Sequence, residues 1–201
     1  MSTASNSEPK APNRELKARG KASPDKIQST IRNSTLIRNG IIEDNDMDHH
    51  AESDNINVKD LANGNVSVPL SVWKENKSEL RSRISVLAVQ IASDEFVEDL
   101  ADDLGDIEMV VLPFVNFVDG RAYSHAHMLR TRYGFLGEIR AIGDVHFDHL
   151  AFLARSGCDA FELPDGDDHQ AALAAFSEFS EVYQPAADDA QLIFSRRRTK
   201  H

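Results

Sequence analysis

The sequence predicts an α/β fold of four consecutive strand-helix units with a parallel sheet, preceded by a short hairpin and helix. Three observations predict it. Apolar runs of strand length recur after residue 84, each is followed by apolar residues at helical spacing, and glycines stop those helical segments. Strands linked through helices run parallel with right-handed crossovers. The pattern fits a half-barrel-like sheet or a small open sheet.

Residues 1–34 come before any such pattern. They carry few large apolar side chains and much Ser, Asn, Pro and Lys. Burial therefore cannot offset the entropy of ordering them, and a disordered basic tail is expected. A single α/β domain should span residues 35–185, followed by a flexible tail over 186–201. In "TLIRNGIIEDN", Leu36, Ile37, Ile41 and Ile42 flank Asn39 and Gly40, the signature of a hairpin. In the acidic stretch that follows, the adjacent His49 and His50 point to different sides of either regular element, so they make a weak metal site, and a solvated loop is expected there. "VSVPLSVWKENKSELRSR" reads as a strand and then a helix entered after Pro69 and Ser71, with Trp73 and Leu80 sharing its inner face.

The regular units follow. "ISVLAVQIAS" is an apolar run suited to a strand covered on both faces. "SDEFVEDLADDLG" is its helix, with Phe96, Val97, Leu100 and Leu104 inward and Gly105 as the stop. "DIEMVVLPF" pairs with "RAYSHAHMLRTRYG", which buries Ala122, Ala126, Leu129 and Tyr133 and ends at Gly134. "GEIRAIG" pairs with "DVHFDHLAFLARSG", N-capped by Asp144 and stopped by Gly157. "CDAFELP" pairs with "DDHQAALAAFSEFSEVY", capped by Asp167.

The chain has 201 residues and a net charge of -11. The charge is uneven: residues 1–40 carry eight Lys or Arg against Glu8, Glu15 and Asp25, a balance of +5, which leaves -16 on the rest. An acidic body of this kind repels nucleic acid and anionic membrane. With one cysteine, Cys158, the chain can form neither an internal disulfide nor a cysteine-based zinc or iron-sulfur site. Cys158 reads as a small core residue at a helix end. The sequence holds no long apolar run and no signal-peptide pattern, so a cytoplasmic location is expected.

Loops after parallel strands share one edge of the sheet, and ligands of such folds bind there. That edge gathers Ser93 and Asp94, residues 116–124, Gly143 and Asp144, and Pro164 and Asp165. The candidate ligand-binding residues are Asp119, Gly120, Arg121, Tyr123, Ser124, Arg130, Arg140, Gly143, Asp144 and Asp148. Helix N-termini and the planar fork of Arg121 suit an oxyanion. Arg140 is a charge inside a central strand and must be paired, with Asp119, Asp144 or Glu138 in reach. Under the opposite reading, Asp119 and Asp144 cap helices and the arginines make structural ion pairs. Of the histidines, His146 and His149 are three apart and can share a helix face, whereas His125 and His127 cannot. No metal site is expected from them. Phosphate loops, a GxSxG elbow and a dinucleotide fingerprint are missing, so no catalytic group or cofactor is assigned.

The stretch "DGRAYSHAHMLRTRYGFLGEIRAIGDVHFDHLAFLARSGCDAFEL" resembles a bacterial family of unknown function often described as an oxidoreductase of sulfite reduction. The resemblance runs from about Leu36 to "AFSEFSEVYQPAADD". It implies a cytoplasmic accessory of assimilatory sulfate and sulfite reduction, encoded beside the sulfite reductase haemoprotein, and it brings no catalytic residues. Asp119, Arg121, Arg130, Arg140, Asp144 and Asp148 match the family pattern. Asn116, Ala122, Phe147, His149 and Cys158 depart from it, where the family usually has Lys, Gly, Arg, Gln and Phe. Two expectations follow: an accessory protein that binds sulfite reductase haemoprotein, or a small (βα) enzyme that takes an oxyanion or a phosphorylated metabolite at the Arg121 and Arg140 edge.

Overall fold

The hairpin forms as expected: Asn39 and Gly40 take positive φ (51° and 75°), the backbone of a two-residue turn that matches strand twist. In the computed structural model the described residues are 34–51, 54, 56–61, 64–82, 86–115, 119–164, 166, 168–176 and 186–187. Apart from Ser34 the N-terminal tail lies outside them, and so do the C-terminal tail beyond residue 187, Asp165, Asp167 and the second half of the last helix segment. The hairpin strands are β1 (Ser34–Arg38) and β2 (Ile41–Glu43). The two-residue β3 (Asp48–His49), β4 (Val66–Pro69) and helix α1 (Leu70–Leu80) come next. Then follow β5 (Leu87–Gln90), a 3₁₀ helix over Val97–Asp106, β6 (Met109–Phe114) and α2 (Arg121–Thr131). The chain continues through β7 (Glu138–Gly143), a 3₁₀ turn over Phe147–His149, α3 (Leu150–Ser156), β8 (Ala160–Pro164) and α4 (His169–Ala175).

The eight strands make one sheet in the order β2-β1-β8-β7-β6-β5-β4-β3. From β3 to β8 neighbouring strands are parallel, while β1 runs antiparallel to both β8 and β2. Because β3 to β8 lie in sequence order, each crossover steps the same way and all helices fall on one face. This is the winding of a curled half-barrel, so the half-barrel is the form the fold takes.

The main core lies between the sheet and the helices, where Val89, Val110, Leu112, Ile139, Phe161 and Leu163 meet the inner faces of α1, α2 and α3. Trp73 and Leu80 are both buried in it, as their spacing predicts. The alternate residues of the strands face the concave side, where Ala88, Met109, Val111 and Ile142 form a second cluster with Met47. Met47 belongs to the connection between β2 and β3, which crosses the concave face. Asn45, on the same connection, donates to Ser34 Oγ at 3.0 Å and accepts from Arg140 at 3.4 Å. The half-barrel is thus plugged by its own N-terminal segment.

Four local expectations change. His49 is in a strand rather than a solvated loop, and its side chain is 2 % exposed, because the concave face supplies polar partners for it. Residues 97–106 wind as a 3₁₀ helix: Val97, Leu100 and Asp103 are the buried ones, and a spacing of three matches three residues per turn. Phe96 is consequently outside the core, 67 % exposed. Asp144 does not cap the third helix, since the chain inserts a 3₁₀ turn first; the last helix is capped by Asp168, which accepts from the amides of Gln170 and Ala171.

Candidate functional site

The loops after β5 and β6 are tied together by one carboxylate. Asp119 accepts from Ser93 Oγ at 2.7 Å and from Arg121 Nε and Nη2 at 2.9 and 2.7 Å. The Arg121 and Ser93 hydrogen bonds hold the Asp119 carboxyl well below the usual carboxylate range, so it stays charged and keeps the arginine. The Arg121 side chain is 59 % exposed, but its fork is turned onto its own neighbour rather than outward.

Gly143 ends β7 at φ 94°, and a Cβ there would stand 2.6 Å from the Phe114 carbonyl oxygen. Only glycine fits, and that carbonyl accepts from Asp144 N at 2.7 Å, so the loop after β7 leaves at a fixed angle. Asp144 is within 3.2 Å of His146 Nε2. Between this loop and the start of α2 lies an open pocket of about 530 Å³ lined by Gly120, Tyr123, Ser124, Asp148, His149 and Phe152. Tyr123 and Phe152 set their rings 5.1 Å apart as one wall. Burial first, then the charges nearby, push the Tyr123 hydroxyl above its ordinary pKa, so it is a neutral donor and acceptor.

Eight of the ten candidate residues therefore gather on the expected edge: Asp119, Gly120, Arg121, Tyr123, Ser124, Gly143, Asp144 and Asp148. Arg130 does not. It sits in the last turn of α2, at the other edge of the sheet, donating to the carbonyls of Gly157 (3.0 Å), Phe135 (2.5 Å) and Gly137 (2.8 Å) and pairing with Asp159. It joins the ends of α2 and α3 to the starts of β7 and β8. Arg140 is also elsewhere, on the concave face with its side chain 2 % exposed. Glu138 is its partner as expected, at 2.8 Å, but the second is Glu162 at 3.0 Å rather than Asp119 or Asp144.

Glu162 belongs to a buried polar chain whose members, Arg140 apart, are not among the candidate residues. Gln90 Nε2 donates to Ser67 Oγ at 2.7 Å, Ser67 Oγ lies 2.6 Å from His49 Nδ1, and His49 Nε2 lies 2.9 Å from Glu162 Oε1. Ser34 Oγ donates to the other Glu162 oxygen at 3.0 Å. Burial alone would favour a neutral Glu162, but the hydrogen bond and charge of His49, then those of Arg140, outweigh it and lower its pKa. The series serine, histidine, carboxylate has the connectivity of a nucleophile relay. Ser67 is nevertheless 0 % exposed in mid-strand and already accepts from Gln90, so no acyl group reaches it; the chain of bonds joins strands. A signal for it exists in the sequence: Ser67, Gln90, Arg140 and Glu162 are the polar residues inside otherwise apolar strand runs.

His125 is buried on α2, and its Nδ1 has no hydrogen-bond partner among the described residues. Burial, reinforced by Arg121, lowers its pKa, so it is neutral at pH 7. Cys158 is a buried free thiol, pushed up to about 12 by burial, and fills the core as expected. Among the described residues no group of three His, Cys, Asp or Glu could hold a metal ion, and no helix is long and apolar enough to cross a membrane.

A search of curated proteins returns no match to this chain. A family model does match: it describes a bacterial protein of unknown function, DUF934, and covers residues 88–194, more than half of the sequence and all four of the strand-helix units from β5 to α4. The chain belongs to the DUF934 family of bacterial proteins of unknown function.

Proposed function

We propose that this protein is a cytoplasmic accessory of assimilatory sulfite reduction that docks on the sulfite reductase haemoprotein through the C-terminal edge of its sheet. The observation that carries the docking reading is the surface of that edge. Phe96, Phe147 and Phe152 stand 67 %, 46 % and 60 % exposed there, each on a loop or first turn that follows a strand. Asp94, Asp144 and Asp148 lie on the same loops, the last two beside His146 and His149, and Arg121 is the one Lys or Arg among the described residues there. Exposed aromatic rings within a carboxylate rim suit a protein partner with a basic surface. The link to sulfite reduction rests on the resemblance carried by "DGRAYS", "GEIRAIGDV" and "GCDAFEL".

Calorimetric titration of the full chain with purified sulfite reductase haemoprotein, at low and at physiological ionic strength, tests this reading. Binding that weakens as salt rises is the expected result, because the rim acts through screened charges. No heat of binding at either salt concentration would overturn it.

The second reading is a small (βα) enzyme that takes an oxyanion or a phosphorylated metabolite, and the pocket beside Tyr123 and Ser124 is the observation in its favour. Arg121 is engaged by Asp119, however, and Asp148 would face the anion. A saturable rise in melting temperature with sulfite, sulfate or phosphate would revive it, by the linkage of ligand binding to stability.

A further inference from the structure

We propose that the open pocket between the starts of α2 and α3 receives an arginine side chain from a partner protein. This rests on the docking reading above and names the chemistry the surface recognises. Three observations meet at the pocket. Its wall is a pair of aromatic rings, Tyr123 and Phe152, 5.1 Å apart and inclined at 50°. Phe152 leaves 60 % of its surface in solvent, although it lies in the first turn of a helix whose two leucines, Leu150 and Leu153, are buried. The rim carries Asp148, whose side chain is 59 % exposed and whose Oδ1 lies 3.7 Å from Nε2 of His149, a second lining residue. Arg121, next to the lining residue Gly120, is not itself among the lining residues and is held on Asp119 at 2.7 Å.

These features select one kind of occupant. An anion would meet Asp148, and Asp144, whose carboxylate lies in the same loop, would add to the repulsion. A wholly apolar group would strip water from the Asp148 carboxylate and leave it His149 Nε2 at 3.7 Å, too long for a hydrogen bond. A guanidinium satisfies both sides, because its flat face stacks on aromatic rings while its edge donates a fork of hydrogen bonds to a carboxylate. Arginine fits better than lysine on the same ground, since ammonium is compact and strongly hydrated. The pocket is open on its outer side, and exposed Phe147 continues the surface beyond it, so the arginine enters on a protein rather than as a free small molecule.

The test is an NMR titration of the ¹⁵N-labelled full chain with a blocked Gly-Arg-Gly peptide and with its citrulline counterpart, which has the same shape without the charge. Saturable shifts are expected at the amides of Gly120, Tyr123, Ser124 and Phe152, with the citrulline peptide roughly tenfold weaker, the loss of one cation–π contact and one ion pair. Phe152→Ala and Asp148→Asn should each weaken the arginine peptide about threefold or more. Both residues are exposed, so the melting temperatures of the variants should match the parent. Equal binding of the two peptides, shifts spread over the acidic surface instead of the pocket, or indifference to both substitutions would overturn the proposal. The haemoprotein titration separates this outcome from the fate of the docking reading. If the haemoprotein binds a variant carrying both Phe152→Ala and Asp148→Asn as tightly as the parent, the arginine pocket falls and the docking stands. If the haemoprotein fails to bind while the arginine peptide binds at the pocket, the pocket stands and its partner is a different protein.

Discussion

His49 Nε2 lies 2.9 Å from Glu162 Oε1, although β3 and β8, which carry them, are separated by four strands in the sheet. In a flat sheet five strand spacings of about 4.8 Å would hold them some 24 Å apart. Contact between the two side chains therefore measures how far the half-barrel curls. With His49 bonded to Ser67 on one side and Glu162 to Arg140 and Ser34 on the other, the concave face is crossed by one continuous set of hydrogen bonds. Removing His49 leaves Glu162 and Ser67 short of partners in a place water does not reach. His49→Ala should cost roughly 2–4 kcal/mol in urea unfolding, as expected for breaking a buried charged hydrogen bond. A loss below about 0.5 kcal/mol, the range of a neutral surface change, would show that the curl does not depend on this contact.

The same carboxylate gives the acid limb of stability a direction. Glu162 has a folded-state pKa below its ordinary value of 4.5, so the unfolded chain binds this proton more readily than the folded one. Its contribution is complete above pH 4.5 and drains away as the pH falls through the lower folded value. Glu162→Gln should lower stability at neutral pH and flatten the decline below pH 4.5, read from urea midpoints across the acid range. An unchanged slope there would mean that other carboxylates dominate it.

The apolar periodicity announced the parallel units, the hairpin, the inner face of α1 and the edge on which Asp119, Gly120, Tyr123 and Asp148 gather. It could not announce what crosses the concave face, because a two-residue strand such as β3 carries no periodic signal. His49 looked solvated for the same reason: its partners Ser67 and Glu162 lie 18 and 113 residues away. Arg130 and Arg121 are nine residues apart on one helix, which places them at opposite ends of it and so at opposite edges of the sheet. The pairing of Arg140 was legible in kind, since a charge in a buried strand needs a carboxylate. Its partner Glu162 was not, because that needs the register between β7 and β8.

Asp103 shows the same dependence on a partner across elements. It accepts from Trp73 Nε1 at 3.0 Å and meets Lys77 at 2.5 Å and Arg81 at 3.1 Å, joining α1 to the 3₁₀ helix. Asp103→Ala should cost roughly 2–3 kcal/mol, and Asp103→Asn, which keeps an acceptor for the indole, about half of that. Trp73 is the sole tryptophan, so its fluorescence follows both unfolding and the local change. Equal losses for the two variants would assign the whole effect to charge rather than to the indole bond.

Two glycines on the candidate edge should differ in their tolerance of a side chain. Gly143→Ala combines a φ of 94° with a Cβ 2.6 Å from Phe114 O, and roughly 2–3 kcal/mol of destabilisation is expected. At Gly120, φ is -82° and the space for a Cβ is empty, so Gly120→Ala should stay within roughly 1 kcal/mol. Thermal unfolding of the pair decides; comparable melting temperatures would show that the turn after β7 tolerates a side chain.

Arg130 and Arg121, two of the three arginines that match the family pattern, can be tested for roles in structure and in recognition. Arg130 supplies three carbonyls and Asp159 from a side chain that is 17 % exposed, so Arg130→Ala strands four acceptors together and should cost roughly 2–4 kcal/mol. Arg130→Lys should recover little, because a single ammonium cannot reach Gly157, Phe135, Gly137 and Asp159 in their fixed fan. Arg121 is exposed and pairs with a neighbour two residues away, so Arg121→Ala should leave the melting temperature almost unchanged. It should, however, free the Asp119 carboxylate and strengthen the salt-dependent binding of a basic partner, because one positive charge leaves an acidic rim. Urea unfolding and the haemoprotein titration read the two effects separately. Full rescue by Arg130→Lys would reassign that residue to charge alone, and weaker partner binding by Arg121→Ala would make its guanidinium a direct contact.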